Sequence, residues 1–263
     1  MPPALIITGS HRSGTSATAR LLATAGVDLG SRLVGPRRSN PYGHFEDAAV
    51  LAIHDAAFAR CGLDWQVEDE SAVRADDEAL AAMRNHAGAR SRGGLWGFKD
   101  PRSSYFLEAW REAADGIRAV LVFRNPEAAA LSLVEREARR VRNHHPDEAL
   151  HRRFWEVPDL ALRIWLAANS AILRYARSHL DEVAVISFES LGAGFPLVEM
   201  LERRWAVGLQ SVATHDAVTP RYAASPGRRL RVSDGAILEK AIALHRRLVE
   251  LERETTLEVS RAR

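Results

Sequence analysis

Cysteine and lysine are both scarce in this chain. Among 263 residues there is one cysteine, Cys61, which excludes an internal disulfide framework and favours a reducing cytoplasm. Nothing near Cys61 would activate a thiolate, so we expect it to be a packing residue. Of the 36 lysine and arginine residues only two are lysines, Lys99 and Lys240, which leaves 34 arginines. Genomic base composition accounts for most of that bias, and it makes a retained lysine informative. We expect Lys240 to be a solvated surface charge.

Long hydrophobic runs and a strong charge of one sign are also absent. No run of about eighteen apolar residues occurs, so we expect no membrane span. The first residues, MPPALIITGS, lack the charged segment of a signal peptide and are more typical of a first strand. The formal net charge is only +2, which gives no reason to expect a nucleic-acid partner. With 46% hydrophobic residues, the chain can bury a core as one domain over residues 1–263.

The sequence alternates between short apolar runs and helix-like segments. Strands are predicted at Ala4–Thr8, Leu95–Phe98, Arg118–Phe123 and Val183–Phe188. Helices are predicted at Thr15–Ala25, Asp47–Arg60, Asp76–Arg90, Ser103–Ala114, Glu127–Arg142, Leu160–Leu180, Pro196–Trp205 and Asp234–Arg253. This order predicts an α/β protein of three layers, α/β/α, in which helices cover both faces of a central parallel sheet.

Two segments fit the alternating pattern less well. Residues 137–158, EARRVRNHHPDEALHRRFWEVP, are rich in arginine and histidine and break the helical period. We expect this segment to be either a lid or substrate-binding insertion over an anionic site, or a solvated helical hairpin. Residues 206–263 are expected to form a C-terminal helical region.

A glycine-rich stretch, TGSHRSGTS, follows the first predicted strand and precedes the first predicted helix. Gly9 and Gly14 have the spacing of a phosphate-binding loop, whose backbone N–H groups face an anion at the positive end of the helix dipole. A nucleoside-triphosphate site would have lysine after Gly14, whereas this chain has Thr15. Arg12 offers a cation at another place in the loop. The stretch therefore predicts a site for a 5′-phosphate whose terminal group is not a γ-phosphoryl.

A second strand–turn–helix segment, LVFRNPEAAALSL, begins at Leu121. Asn125 is a good helix N-cap and Pro126 a good first helical residue, which places Arg124 at the carboxyl edge of the sheet. Ser132 follows eight residues later, with its side chain directed towards the helix start. Arg124 and Ser132 are therefore expected to meet at a further anion.

These residues resemble a known family. GSHRSGTS is similar to the phosphosulfate loop of sulfotransferases that use 3′-phosphoadenosine-5′-phosphosulfate (PAPS). Arg124 and Ser132, at their spacing, resemble that family's 3′-phosphate motif. GFKDPR, ending at Arg102, resembles the lysine segment of tyrosylprotein, or Golgi-type, and related bacterial sulfotransferases, and VISFESL, from Val185, resembles their late strand and turn.

The resemblance runs in order over residues 4–205. It implies a P-loop-type fold in a single sulfotransferase-like domain. It also implies a transferase that moves a sulfuryl group from PAPS, in line and without a metal, to a hydroxyl or amine. The product would be 3′,5′-adenosine diphosphate (PAP). The acceptor stays open among small molecules, carbohydrates and peptides. We expect a bacterial, cytoplasmic enzyme.

The resemblance and the chemistry together suggest roles for individual residues. Charge develops on the bridging oxygen as PAP leaves, and Arg12 and Lys99 are the candidate cations for it. The acceptor needs a general base, for which Glu46 is the nearest match, with His44 and His54 as rivals. Asp47 is more simply a helix N-cap. The candidate nucleotide-binding residues are Gly9, His11, Arg12, Ser13, Gly14, Thr15, Ser16, Arg124, Ser132, Arg228 and Arg229.

The chain departs from the family at its C-terminal nucleotide segment. Cytosolic sulfotransferases have an R-K-G sequence there, and this chain has Gly227, Arg228 and Arg229 instead. Trp165 is expected to be a core residue rather than a platform for the base. Two other functions stay open: a P-loop kinase or NTPase, which the missing loop lysine disfavours, and a non-catalytic nucleotide-binding protein of the same fold.

Overall fold

The computed structural model describes residues 3–35, 43–217 and 229–257. Within them the alternating pattern gives four strands, β1 (Ala4–Thr8), β2 (Trp96–Lys99), β3 (Ile117–Phe123) and β4 (Val183–Ser187). The helices are α1 (Thr15–Thr24), α2 (Ala48–Arg60), α3 (Asp77–Arg90), α4 (Leu107–Ala113), α5 (Pro126–Arg142), α6 (Glu148–Glu156), α7 (Leu160–Ser178), α8 (Phe188–Gly192), α9 (Leu197–Trp205), α10 (Thr214–Ala217) and α11 (Gly235–Leu257). Short 3₁₀ turns occupy Glu70–Ala72, Pro101–Tyr105 and Leu180–Glu182.

The four strands form one parallel sheet in the order β2-β1-β3-β4. Ile7 of β1 is opposite Lys99 of β2, and Phe123 of β3 is opposite Ser187 of β4. Because the strands end at similar heights, the segments that follow them come together at one edge of the sheet. That carboxyl edge is where open α/β sheets bind ligands.

The strands are buried on both faces, since alternate side chains of each strand point into different cores. In β1, Ala4 and Ile6 belong to one apolar cluster, and Leu5 and Ile7 belong to the other. The helices α1 and α9 pack against the smaller cluster. Side chains of α2, α3, α4, α5, α7 and α11 build the larger one. The predicted three-layer α/β/α fold is confirmed.

Most predicted elements are present within one or two residues of their expected ends. The helix predicted at Ser103–Ala114 is wrong in its first half, which is a 3₁₀ turn followed by Phe106 at φ −117°, outside helical geometry. The second strand lies one residue later than expected, so Lys99 is its last residue. Gly26 follows α1 with φ 104°, the left-handed conformation in which a glycine commonly ends a helix.

Residues 137–158 form the end of α5 and the whole of α6. His151 and Phe154 of α6 are buried, so this helical pair packs onto the body of the protein rather than standing in solvent. Further along the chain, α11 packs on α7 and β4. In the part of the chain described, no helix has both the length and the apolar character to cross a membrane.

Candidate active site

The loop between β1 and α1 is shaped for close backbone contacts. A Cβ atom at Gly9 would lie 1.9 Å from the carbonyl oxygen of Val122, so the loop passes directly over β3. Gly14 adopts φ 94° at the N-cap of α1, in the left-handed region that favours glycine. The hydroxyls of Ser10 and Ser13 lie 2.7 Å apart and close the turn from inside. This geometry leaves the N-terminus of α1 facing a cradle at the sheet edge.

Arg12 joins the two predicted anion-binding segments. Its Nε donates a hydrogen bond to Oγ of Ser132 at 3.0 Å, and Nη1 of Arg124 donates to the Arg12 carbonyl oxygen at 3.2 Å. Arg12 adopts φ 70°, an uncommon conformation for a residue with a side chain, which often marks a functional position. The sequence predicts that Arg124 and Ser132 meet at one anion, and in the structure both residues are bonded to Arg12.

Positive charge is concentrated around Arg12. Burial, and then the nearby guanidinium groups of Arg136, Arg139 and Arg124, lower the pKa of Arg12 to about 10. Burial also lowers the pKa of Arg124. Each effect means that the protonated form is held at a cost, which a bound anion would offset. The cluster therefore has the electrostatics of an anion site.

The turn from β3 into α5 is held from several sides. The side chain of Asn125 accepts from the Ala128 N–H at 3.1 Å, which confirms it as the N-cap. Trp165 is buried and its Nε1 donates to the Arg124 carbonyl oxygen at 3.1 Å, so it is a core residue as expected. The Arg124 guanidinium lies over the ring of Phe188, 4.9 Å from its centroid. These contacts fix Arg124 at the sheet edge.

Lys99 is buried at the end of β2 and paired with Glu46. Its Nζ lies 2.5 Å from Oε1 of Glu46, and only 2% of the Lys99 side chain is exposed. The next residue, Asp100, is tied to the glycine loop's strand, because Thr8 Oγ1 donates to the Asp100 carbonyl oxygen at 2.9 Å. The retained lysine and the acidic residue predicted as base are therefore neighbours beside the loop.

The segment that carries His44 and Glu46 runs past the start of α1. Ser16 Oγ donates to the His44 carbonyl oxygen at 3.5 Å, and Phe45 adopts φ 56° between the two candidate bases. Asp47 caps α2 by accepting from the Ala49 N–H at 2.8 Å, which confirms its predicted role. The glycine-rich stretch thus contacts three other candidate segments. Thr8 bonds the Lys99–Asp100 segment, Arg12 bonds the Arg124–Ser132 segment, and Ser16 bonds the His44–Glu46 segment.

His54 does not occupy the position of a free base. It is fully buried, with Nδ1 2.7 Å from Oδ2 of Asp100 and Nε2 accepting from Nε1 of Trp110 at 2.9 Å. Because both ring nitrogens are engaged inside the protein, His54 has no lone pair for a substrate proton. The prediction of His54 as a rival to Glu46 for the general base is therefore wrong.

Two residues near the loop were missed by the sequence reading, Trp65 and Arg136. The Trp65 ring contacts His11 edge-on at 4.8 Å between centroids, and the Arg136 guanidinium lies 5.1 Å from the Trp65 centroid. Burial, and then the charges of Arg136 and Arg102, hold the pKa of His11 well below its usual value. The neutral form of His11 is therefore favoured. No motif marks Trp65 or Arg136, since only the fold brings them to the loop.

Arg229 lies away from the glycine loop but close to the helix that carries Ser132. It lines a groove of about 910 Å³ between α5, α6 and α7, together with Arg139, Arg142 and Arg231. Arg139 is also one of the charges that act on Arg12, so the groove adjoins the anion cluster. Arg228 and Gly227, also candidates, lie outside the described residues.

Comparisons with known proteins find similarity in structure only. No family model and no curated protein matches the chain. A sulfotransferase domain from the Synechococcus PCC 7002 olefin synthase is 17% identical at a TM-score of 0.45, over 97% of this chain and 94% of that one. A sulfotransferase from Alicyclobacillus acidocaldarius is 14% identical at a TM-score of 0.44, over 96% and 94%. Because both TM-scores are below 0.5, function is inferred from the residues of the site and not from these two proteins.

Proposed function

We propose that this chain is a sulfotransferase that takes a sulfuryl group from PAPS and transfers it to a hydroxyl or amine. The observation that carries the proposal is the position of Arg12. It is bonded to Ser132 and Arg124 on one side, and its loop is tied through Thr8 to the Lys99 segment on the other. One loop therefore connects Arg124 and Ser132, the far anion site, with the pair formed by Lys99 and Glu46.

The donor fits the residues that are present. A side chain at Gly9 would collide with the Val122 carbonyl oxygen and one at Gly14 with the Phe188 ring, so the loop needs glycine at both positions to keep the shape of its backbone cradle, which suits a 5′-phosphate at the α1 N-terminus. In this assignment His11, Ser13, Thr15 and Ser16 line the same cradle, and Arg124 and Ser132 hold the 3′-phosphate. Arg229 is assigned to the outer side of that phosphate, and Arg228 stays a candidate for the same anion. The arginines around Arg12 support the fit, because a cluster of cations favours a nucleotide with anionic groups at both its 3′ and 5′ positions.

When bound, the donor supplies a sulfuryl group that passes to the acceptor oxygen or nitrogen while the bond to the bridging oxygen breaks. Lys99 is assigned to that bridging oxygen, where negative charge collects, and its ammonium can also donate a proton there. Arg12 adds a fixed positive charge from within the loop. Both cations are held by the protein before the reaction begins.

Glu46 is the residue that we assign as general base. Its bond to Lys99, the cation assigned to the leaving oxygen, supports this assignment. During transfer, the Lys99 ammonium exchanges a hydrogen bond to Glu46 for one to the leaving oxygen. That exchange frees the Glu46 carboxylate to take the proton of the attacking hydroxyl or amine. His44, two residues earlier, stays the rival base. The acceptor itself is a small molecule, carbohydrate or peptide.

The proposal is tested by ligand-dependent thermal stability. A ligand that binds only the folded state stabilises it by RT ln(1 + [L]/Kd), about 2.7 kcal/mol at 100 times Kd. We expect PAP to raise the melting temperature clearly more than ATP with magnesium at equal concentration. Adenosine 5′-phosphate is the control that lacks the 3′-phosphate, and it should stabilise less than PAP.

The same experiment separates the two other functions. Stronger stabilisation by ATP with magnesium would favour a kinase or NTPase and overturn the proposal. Stabilisation by PAP without release of PAP from PAPS, in the presence of a broad acceptor panel followed by mass spectrometry, would favour a non-catalytic nucleotide-binding protein.

A further inference from the structure

We propose that His54 is a positioning residue of the transfer site. Trp110 holds it as one neutral tautomer, and it acts through Asp100 on Lys99. The contacts that carry this inference lie behind the site, between α2, α4 and the end of β2. Its enzymatic readout rests on the proposed sulfotransferase function, whereas its structural readout does not.

The neighbours of His54 determine which ring nitrogen carries the proton. The indole N–H of Trp110 can only donate, so Nε2 of His54 accepts at 2.9 Å. The proton is therefore on Nδ1, which donates to Oδ2 of Asp100 at 2.7 Å. All three side chains are essentially buried, with exposures of 0% for His54 and Trp110 and 1% for Asp100. Water does not compete for these bonds, so the tautomer is fixed by the fold.

His54 thereby secures a charged carboxylate without adding a charge of its own. Burial disfavours the ionised form of Asp100, but the Arg102 charge and the hydrogen bond from His54 outweigh it and hold the pKa of Asp100 well below its usual value. The other carboxylate oxygen accepts the backbone N–H of Arg102 at 3.1 Å. Asp100 is thus the N-cap of the 3₁₀ turn that follows Lys99.

Helix α2 holds that turn at two points. His54 binds Asp100, and the next residue, Asp55, accepts from Nη1 of Arg102 at 2.8 Å. Lys99 directly precedes the turn, and its ammonium reaches Glu46. A shift of Asp100 would therefore move the backbone from which Lys99 extends. We infer that His54 sets the reach of Lys99 towards Glu46 and the leaving oxygen.

Packing alone is a different explanation, and it can be separated from positioning. The His54 ring stacks on Phe106 with centroids 4.9 Å apart and planes 7° apart, so a phenyl ring would preserve the stacking. His54→Phe keeps the aromatic contact and removes both hydrogen bonds. His54→Asn keeps a donor near the Nδ1 position but leaves the Trp110 N–H without an acceptor. Adding Trp110→Phe removes that unpaired N–H.

The chain offers an unusual spectroscopic probe, because Lys99 and Lys240 are its only lysines. In a Lys240→Arg background with ¹⁵N-labelled lysine, the side-chain ammonium signal comes from Lys99 alone. We expect His54→Phe to shift or broaden that signal. It should also slow release of PAP from PAPS, with water as acceptor, about tenfold, the loss typical of one buried hydrogen bond to a charged group. The Kd for PAP should change less than about twofold, because the nucleotide cradle is elsewhere.

Conservative rescue is the decisive comparison. His54→Asn with Trp110→Phe should recover the Lys99 signal and most of the PAP release, and it should exceed His54→Asn alone. His86→Asn is the matched control, since His86 packs against Trp110 at 6.0 Å between centroids and has no hydrogen bond to Asp100. It should leave the Lys99 signal and the PAP release unchanged.

An unchanged Lys99 signal and unchanged PAP release in folded His54→Phe would overturn the inference. So would a double variant no better than His54→Asn alone, and this second comparison decides the matter if His54→Phe does not fold. Failure of the wild-type protein to bind PAP would instead overturn the proposed function, and the lysine signal would still test the positioning role.

Discussion

At the scale of single residues, the scarcity of lysine makes Lys99 the informative side chain. It is almost wholly buried, and an unpaired buried ammonium is costly, so its bond to Glu46 is needed for the charge to persist there. Arginine would carry the charge, but its guanidinium is planar and larger and gives up a proton poorly. The proposed role, a compact proton donor for the leaving oxygen, is therefore one that lysine fits better than arginine.

Lys99→Ala should separate turnover from binding. Because the ammonium is assigned to charge that develops only during transfer, we expect the rate of PAP release from PAPS to fall about 100-fold. The Kd for PAP, measured by calorimetry, should change less than about threefold. Lys240→Ala is the control, since this residue is exposed, and it should change neither value. A large loss of PAP affinity with a nearly normal rate would make Lys99 a binding residue instead.

At the scale of elements, the β3–α5 unit positions Arg124 and Ser132, the proposed far anion site. A buried strand ends at Phe123, Asn125 caps the helix, and Trp165 bonds the Arg124 carbonyl oxygen from α7. The backbone is thus fixed on both sides of Arg124, and Ser132 faces back along α5 to meet Arg12. Because Arg124 and Ser132 are held in fixed positions, this unit favours binding of one phosphate in a defined place over non-specific attraction of anions.

Arg124→Ala should therefore reduce discrimination between PAP and adenosine 5′-phosphate. Loss of a charge-assisted contact to the 3′-phosphate should weaken PAP about tenfold or more, while the affinity for adenosine 5′-phosphate changes little. Titration calorimetry with both nucleotides measures the ratio. Arg118→Ala is a matched control on β3, the strand that ends just before Arg124, because the Arg118 side chain bonds the neighbouring Ile117 carbonyl oxygen. Equal losses for both ligands in Arg124→Ala would show that it does not read the 3′-phosphate.

Local patterns explain why much of this could be predicted from the sequence. Continuous apolar runs identified the strands, and Asn125 and Asp47 identified helix starts, because a capping side chain bonds the backbone within three residues. The glycine spacing and the sequence distance from Arg124 to Ser132 predict two anion sites, since each prediction depends on a single strand–turn–helix unit. Lys99 was found by its rarity.

Contacts between distant segments could not be predicted in the same way. His54 was a candidate base because it shares a helix with the Glu46 turn, and only the fold shows Trp110 and Asp100 at its two nitrogens. Trp65 reaches His11 because Phe154 of α6 packs behind it, with ring centroids 6.0 Å apart. The histidines of residues 137–158 obscured that amphipathic helix, since His151 is buried there.

At the scale of the whole molecule, α11 protects an edge of the sheet. Within the described residues β4 is an outer strand, and two of its backbone N–H groups point away from β3. The Val185 N–H donates to Oγ1 of Thr255 at 3.1 Å, and the Ser187 N–H donates to Glu252 at 2.9 Å. Exposed strand edges invite pairing with other chains, so side chains of a packed helix replace the missing strand. This closure holds the end of β4, and Phe188 beyond it, against Arg124.

Thr255→Val tests that closure, because valine keeps the shape and removes the acceptor. Thr255 is 2% exposed, so the Val185 N–H would be left buried without a partner, at a cost of about 1–3 kcal/mol in the free energy of unfolding. Urea denaturation measures this cost. Thr256→Val is the matched control, since the Thr256 hydroxyl bonds only backbone carbonyls of its own helix, and it should change the stability by less than about 0.5 kcal/mol. Equal effects would mean that the Thr255 hydroxyl does not help to close the edge of β4, and that Glu252 and apolar packing of α11 are enough to protect it.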